Sequence, residues 1–353
     1  MNLDKLKEIL DKLEEPTYRF KQIKLAVYRD LREGFGFVDN IPQGLRESLT
    51  KLLPFNELTL KTEQKSLDGT VKKLFLTNDN LAIESVLIKH EDLRRTVCVS
   101  TEAGCQINCS FCATGHLGFK RELTSFEIFE QVLAFARELK IKNEKVTNVV
   151  FMGMGEPFLN YINVKEAILL LNDKEGFNLG QRHISVSTSG IIPGIKSFTE
   201  ENWQINLAIS LHAPTNVLRS ELMPINTTYS IEELMAALDT YVLKTNRKLM
   251  IEYLLLGGIN DSSEEAEGLA KLIHSYKNIS RLSLVNLIIY NPTKDNYGHW
   301  DKFKAPSDIA FKNFGEILTK KGINWTRRVS FGSEIAGACG QLAGEEQGNK
   351  NKN

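Results

Sequence analysis

Hydrophobic positions at the start of the chain recur at helical spacing. The first pattern is carried by leucine and isoleucine at Leu3, Leu6, Ile9, Leu10 and Leu13. A second helical pattern, "YRFKQIKLAVYRDL", begins after Pro16 and ends before the glycines Gly34 and Gly36. We therefore predict a small helical module over residues 1–52.

Two short apolar runs come next, and together they favour a β-hairpin. "TVKKLFLT" and "LAIESVLI" flank the polar triplet Asn78-Asp79-Asn80. Asn and Asp are favoured in tight turns, and runs of this length and composition are typical of strands. We assign residues 53–93 to a β-hairpin linker region.

From about Arg94 the pattern changes to apolar strands that alternate with amphipathic helices, such as Ile231–Leu243 and Glu264–Tyr276. The predicted strands are Thr96–Ser100, Asn148–Met152, His183–Thr188, Ile205–Leu211, Leu249–Leu255 and Ser283–Ile289, with Asn324–Val329 as a possible seventh. This alternation predicts an α/β fold with a parallel sheet, either open or closed into a barrel. We assign residues 94–343 to this core and the polar end, residues 344–353, to a disordered tail.

Composition narrows the class of protein. The chain has 353 residues, of which 42% are hydrophobic, and its 44 Lys and Arg balance its 44 Asp and Glu. A neutral total gives no support for nucleic-acid binding by bulk charge, although local basic pairs such as Arg94-Arg95 and Arg327-Arg328 exist. The charged N-terminus and the absence of a long apolar stretch predict a cytoplasmic protein with no membrane association. Five cysteines do not make a closed disulfide framework, so metal binding or catalysis is the better default.

Short polar or glycine-rich motifs follow the predicted strands. They are "GCQINCSFC", "GMGEP", "STSG", "SLHAP" and "NP", which begin at residues 104, 153, 187, 210 and 291. In parallel β/α folds, function collects on the loops at the carboxyl ends of the strands. Five such motifs in series predict a single site at this edge of the sheet.

Cys105, Cys109 and Cys112 have the spacing C-x3-C-x2-C, one ligand short of a four-ligand site. A four-iron cluster held by three cysteines keeps one iron open to a ligand that is not protein. That iron can chelate the amino and carboxylate groups of S-adenosylmethionine, whose reductive cleavage gives a 5′-deoxyadenosyl radical. Zinc with His116 as the fourth ligand is an alternative, as are three inert thiols. The gap of three and then two residues is unusual for zinc, which favours the iron–sulfur interpretation.

These motifs resemble a known family. C-x3-C-x2-C resembles the signature of the radical S-adenosylmethionine (SAM) superfamily, and "GMGEP" resembles its GGE-type motif. "FMGMGEPFLN", "STSGIIP", "AISLHAP", "MPIN" and "EIAGACGQLAGE" are similar to motifs of the adenine-C2 methyltransferases of 23S ribosomal RNA and transfer RNA. The resemblance extends over nearly the whole chain. It implies a partial (β/α)6 radical SAM barrel, with an N-terminal helical module that binds RNA.

The resemblance also implies roles for individual residues. Cys339 corresponds to the cysteine that is methylated first, Cys98 to the one that then closes a disulfide on it, and Glu84 to a catalytic base. Cys105, Cys109 and Cys112 would hold a 4Fe-4S cluster. The positions that match S-adenosylmethionine ligands are Gly155, Glu156, Ser187, Ser210, Leu211, His212 and Asn291.

The function expected from this resemblance is the formation of 2-methyladenosine in 23S rRNA, at the peptidyl-transferase centre, and in tRNA next to the anticodon. Such an enzyme would need a reductant such as flavodoxin or ferredoxin, and we expect a monomer. The alternative within the class is adenine-C8 methylation of 23S rRNA, which confers antibiotic resistance; the proline in "GEPFLN" favours the C2 group. The alternative from another class is a zinc-stabilised RNA-binding protein without catalysis.

Overall fold

The computed structural model describes residues 1–292 and 303–343, so the predicted disordered tail lies outside the described residues. Within these ranges the chain forms twelve α-helices. In chain order they are α1 (Leu3–Lys12), α2 (Tyr18–Lys24), α3 (Gln43–Leu52), α4 (Ala113–His116), α5 (Ser125–Ile141), α6 (Tyr161–Asn172), α7 (Ile192–Glu200), α8 (Asn216–Leu222), α9 (Ile231–Thr245), α10 (Ser263–His274), α11 (Lys277–Arg281) and α12 (Asp308–Lys320).

The same ranges contain twelve strands. They are β1 (Leu58–Lys65), β2 (Val71–Thr77), β3 (Ala82–Lys89), β4 (Arg95–Val99), β5 (Glu102–Ala103), β6 (Arg121–Glu122), β7 (Asn148–Phe151), β8 (Ile184–Thr188), β9 (Asn206–Ser210), β10 (Leu249–Leu255), β11 (Ser283–Ile289) and β12 (Trp325–Arg328).

Ten of these strands form one sheet, in the order β1-β2-β3-β4-β7-β8-β9-β10-β11-β12. Neighbours are antiparallel from β1 to β4 and parallel from β4 to β12. The predicted α/β fold with a parallel sheet and a β-hairpin is therefore confirmed, and the possible seventh strand is present as β12. The sequence did not predict β1, because most of its side chains are polar and exposed at the edge of the sheet.

The sheet curls so that its distant strands meet over one face. Arg328 on β12 donates a hydrogen bond to Glu252 on β10 at 3.1 Å, and another to the sulfur of Met152, just after β7, at 3.3 Å. β12 and β7 are separated by four strands in the sheet order, so a flat sheet would hold these side chains far apart. The sheet is thus an open barrel, with β1 and β12 at its free edges.

The N-terminal helices pack on the outer helix α5. The ammonium of Met1 lies 3.2 Å from a carboxylate oxygen of Glu130, and the ring of Tyr28 meets Phe129 edge-on at 4.8 Å between centroids. Apolar residues of this region and of the barrel form one continuous core. The boundaries at residues 52 and 93 stay a prediction. None of the helices in the described ranges is both long and apolar enough to span a bilayer.

Candidate active site

A cavity of about 220 Å³ lies at the carboxyl ends of the parallel strands. The motifs that follow β4, β7, β8 and β9 all reach it, as the strand-end rule predicts. Ten of the predicted site residues line it: Cys98, Cys105, Cys109, Cys112, Gly155, Glu156, Ser187, Ser210, His212 and Cys339. The structure therefore gathers in one place side chains that are spread over most of the sequence.

The loop with the three cysteines is held tightly against its neighbours. Gly104 has φ of +81°, and a Cβ there would lie 1.8 Å from the carbonyl oxygen of Gly118, so only glycine fits. A Cβ on Gly115 would lie 3.0 Å from the Cα of Asn108. These contacts fold the loop back on itself, which turns its thiols toward the cavity.

The three buried thiols of the loop are suited to hold an iron–sulfur cluster. Burial raises the pKa of Cys105, Cys109 and Cys112, so the thiolate forms need a metal to stabilise them. A cubic cluster takes each thiolate on a different iron, so three thiols on one loop can hold it. His116 does not line the cavity that the three thiols face, which disfavours the zinc alternative; its Nε2 contacts the backbone oxygen of Ser110 at 3.2 Å.

The "GMGEP" turn is shaped by a buried carboxylate that the sequence did not single out. Gly155 has φ of +99°, and a Cβ there would lie 2.6 Å from the Cβ of Glu102. Glu102 accepts a hydrogen bond from the backbone nitrogen of Glu156 at 3.1 Å, and burial raises the pKa of Glu102 to about 7. The Glu156 carboxylate in turn accepts from the backbone nitrogen of Ser189 at 2.6 Å. Glu102 thus supports the turn from below while Glu156 ties it to the end of β8.

His212 and Arg219 organise the end of β9. His212 has φ of +59°, and its Nδ1 accepts a hydrogen bond from the backbone nitrogen of Leu254 at 3.0 Å. Burial lowers the pKa of His212 to about 3, so the ring is neutral and its Nε2 is free of that bond. Arg219 on α8 donates to the carbonyl oxygens of Ser189 and Ser210, at 2.6 and 3.2 Å. Burial lowers the pKa of Arg219 to about 10, and the Cys109 thiolate opposes this.

Cys98 on β4 and Cys339 face the cavity together with Arg328. All five cysteines, including these two, are free thiols in this structure. Burial raises the pKa of Cys98 to about 12, whereas Cys339 is exposed. The charge of a Cys339 thiolate raises the pKa of Arg328, whose guanidinium is also paired with Glu252. An exposed thiol and a half-buried thiol beside one cation suit unequal chemical roles.

The segment that carries Cys339, residues 332–343, is anchored by the hairpin. Asp68, between β1 and β2, accepts from the backbone nitrogen of Gly332 at 2.8 Å. Glu334 accepts from the Ser66 hydroxyl at 2.8 Å. On its other side the segment meets the cysteine loop, where the Ala113 nitrogen donates to the carbonyl oxygen of Gly340 at 2.8 Å. The hairpin extension therefore positions Cys339 over the cavity.

Three predicted site residues lie outside the cavity wall formed by the described residues: Glu84, Leu211 and Asn291. Leu211 is fully buried, and its backbone nitrogen bonds to the carbonyl oxygen of Glu252, so its side chain belongs to the core. Asn291 is buried, and its Nδ2 has no hydrogen-bond partner among the described residues, which leaves a donor available for a ligand. Glu84 is buried in an ion pair with Lys72 at 2.7 Å, which holds its carboxylate in the hairpin rather than at the cavity.

Comparison with known proteins agrees with this geometry. The family model of the radical SAM superfamily matches residues 99–273. A probable dual-specificity RNA methyltransferase RlmN of Geobacillus kaustophilus is 43% identical over 347 residues, covering 98% of this chain and 92% of the relative. One of Streptococcus suis is 41% identical, covering 93% and 87%.

This chain belongs to the dual-specificity RNA methyltransferase family. A crystal structure of a radical SAM methyltransferase from Sphaerobacter thermophilus superposes with a TM-score of 0.91, at 43% identity and 98% coverage of both chains. As a radical SAM methyltransferase, the present chain uses a 4Fe-4S cluster and S-adenosylmethionine. The three thiols and the unpartnered Asn291 donor fit these groups.

Four charged residues of the methyltransferase site were not assigned to it from the sequence: Glu102, Arg219, Glu252 and Arg328. No local motif marks Glu102 or Glu252, since each lies on a strand whose neighbours define its role. Arg328 was grouped with Arg327 as a basic pair for RNA, but its side chain turns inward to Glu252. Arg247, another such basic residue, bonds to the carbonyl oxygen of Ile205 before β9, at the end of the sheet away from the site.

Proposed function

We propose that this protein methylates carbon 2 of adenine in 23S rRNA and in tRNA, through an S-methylcysteine on Cys339. The observation that carries the proposal is the placement of Cys98 and Cys339 on one cavity with the three cluster cysteines. Carbon 2 is an electron-poor centre, so it does not attack a sulfonium methyl as an ordinary nucleophile does. A cysteine that carries the carbon first avoids this difficulty.

The bound cofactors supply a methyl group and a radical that abstracts hydrogen. In the proposed series of steps, the sulfur of Cys339 accepts the methyl group, because the Cys339 thiol is the exposed one. After hydrogen abstraction, the methylene carbon on Cys339 bonds to carbon 2 of the adenine. The ring proton would pass to a base at the cavity, and the odd electron would pass to the oxidised form of a flavodoxin- or ferredoxin-type protein.

Cys98 would then release the product. Its sulfur attacks that of Cys339, so that a disulfide forms as the carbon–sulfur bond breaks. The electron pair stays on the carbon, which takes up a proton to become the new methyl group. A reductant such as flavodoxin or ferredoxin would supply the electron for cleavage of S-adenosylmethionine and the electrons that reopen the disulfide.

The helical module would contribute to RNA binding. Tyr18 and Phe37 are exposed there, at 54% and 60%, and Arg19 lies 4.9 Å from the Tyr18 ring centroid. Exposed aromatic rings beside a cation are the features on which unpaired bases stack. A target adenine in folded RNA would have to be extruded to reach the cavity.

Mass spectrometry tests this proposal directly. Anaerobically reconstituted protein is incubated with unmodified tRNA and 23S rRNA, a reductant and S-adenosylmethionine, and the RNA is digested to nucleosides. The expected product is 2-methyladenosine from both RNAs. 8-Methyladenosine would establish the C8 alternative, and the absence of any methylated adenosine, with colourless zinc-containing protein, would establish the non-catalytic one.

A further inference from the structure

Arg219 is a buried cation without a carboxylate partner in the described part of the chain. It is 1% exposed, and its guanidinium donates four hydrogen bonds, all to neutral oxygens. Three go to the backbone of Ser189, Ser210 and Leu211, and one goes to the side chain of Asn226. Neutral oxygens orient the guanidinium, but they do not cancel its charge.

A buried charge is costly unless an opposite charge lies nearby. The packing of α8 shows where an opposite charge would lie. Its last residue, Leu222, accepts a hydrogen bond from the backbone nitrogen of Ser110 at 2.9 Å. Cys109 packs against the apolar cluster that contains Leu222 and Ala213. The helix that carries Arg219 thus packs directly against the part of the cysteine loop that contains Cys109.

We infer that Arg219 raises the reduction potential of the cluster held by Cys105, Cys109 and Cys112. Three thiolates and the cluster together carry negative charge, and reduction adds one more electron. A fixed cation in a site of low dielectric stabilises the reduced state more than the oxidised state, so reduction becomes easier. Four of the five N–H donors of the guanidinium bind the protein, so its position is fixed and its charge acts on the site from there.

The test is a redox titration of the reconstituted protein, without RNA, followed by electron paramagnetic resonance. Arg219→Gln removes the charge and keeps some hydrogen bonds, whereas Arg219→Lys keeps the charge and loses the planar fork. We expect Arg219→Gln to lower the reduction equilibrium constant at least about tenfold, a shift of about 59 mV to a more negative potential. Arg219→Lys should stay within about threefold of the wild type, since only the charge enters the argument.

A second variant keeps the test decisive if Arg219→Gln does not fold or does not take up iron. Asn226→Asp leaves Arg219 in place and puts a carboxylate where Asn226 Oδ1 lies now, 3.0 Å from Nη1. It should also make the potential more negative, because the carboxylate cancels the cation. Arg137→Gln is the matched control: this buried arginine lies on α5, pairs with Glu130 at 2.7 Å, and should leave the potential unchanged even if stability falls.

A wild-type potential in Asn226→Asp, or in a folded and iron-loaded Arg219→Gln, would overturn the inference and leave Arg219 a structural clamp. Equal negative shifts of the potential in Arg219→Lys and Arg219→Gln would also overturn it, because they would show that the geometry of the side chain matters rather than its charge. Because the potential is measured without RNA turnover, the result does not depend on which adenine carbon is methylated.

Discussion

Glu84 on β3 accepts a hydrogen bond of 2.7 Å from the backbone nitrogen of Ala343, four residues beyond Cys339. Its other carboxylate oxygen lies 2.7 Å from the ammonium of Lys72. Lys72 also reaches the carbonyl oxygen of Ala336 at 3.4 Å. The ion pair therefore connects the hairpin to this segment on both sides of Cys339, at Ala336 and at Ala343.

Glu84→Gln should destabilise the protein. Glutamine can still accept from Ala343, but the Lys72 ammonium loses its carboxylate while it stays buried. Removing one partner of a buried ion pair costs about 3–5 kcal/mol. Chemical denaturation of the two proteins measures the difference.

The double variant Lys72→Met/Glu84→Gln is the control, because it removes the charge that the single variant leaves uncompensated. It should recover at least half of the lost stability. Equal stability of Glu84→Gln and the wild type would contradict a buried ion pair.

Alanine at Cys105, Cys109 or Cys112 should remove the cluster, since in the proposed site each thiolate would hold a different iron. We expect loss of most iron and of the visible absorbance after anaerobic reconstitution. His116→Ala should keep full iron content, because His116 does not line the cavity that the thiols face. Zinc in the wild type that is lost on replacing His116 would restore the zinc hypothesis.

Gly155→Ala should weaken S-adenosylmethionine binding at least about tenfold, because the new methyl group meets the Cβ of Glu102 at 2.6 Å and displaces the turn that carries Glu156. Equilibrium dialysis with iron-loaded protein measures this. Gly258→Ala is the matched control: Gly258 has φ of +77°, but a Cβ added there meets no atom within 4 Å, so the substitution adds only backbone strain. Equal binding in both variants would show that the contact with Glu102 has no effect.

Stability should depend on pH through Glu102. Burial raises its pKa from 4.5 to about 7, so the folded state holds a proton that the unfolded state has released between these values. Stability from this group is complete below about pH 4.5 and declines as pH rises to about 7, by about 1–3 kcal/mol in all. The wild type should therefore lose melting temperature relative to Glu102→Gln across this range.

Cys98→Ala and Cys339→Ala should both lack product but differ in what they attach to RNA. Without Cys339 there is no carrier, so no covalent bond to RNA forms. Without Cys98 the methylene bridge to adenine can form, but no thiol is present to break the carbon–sulfur bond. On a denaturing gel only Cys98→Ala should shift with RNA, and nuclease should reverse the shift. Normal turnover by Cys98→Ala, or cross-linking by Cys339→Ala, would reverse the proposed roles.

Local patterns in the sequence were enough to predict the parallel strands, the hairpin and the cysteine loop. A strand with one buried face alternates along its own length, as β8 does, and C-x3-C-x2-C places three thiols on one loop whatever surrounds it. The motifs at strand ends converged for a general reason, since parallel strands end at the same edge. These features depend on neighbours in the chain.

Only the tertiary structure decided which charged groups complete the site. Arg328 meets Glu252 across 76 residues and Met152 across 176, because the sheet curls, and Glu84 meets Ala343 across 259. No local period encodes such pairings: an arginine in "WTRRVS" is equally compatible with an exposed surface. The direction of a charged side chain is set by where its partner lies, and that partner is brought near by the closure of the sheet rather than by the sequence around it.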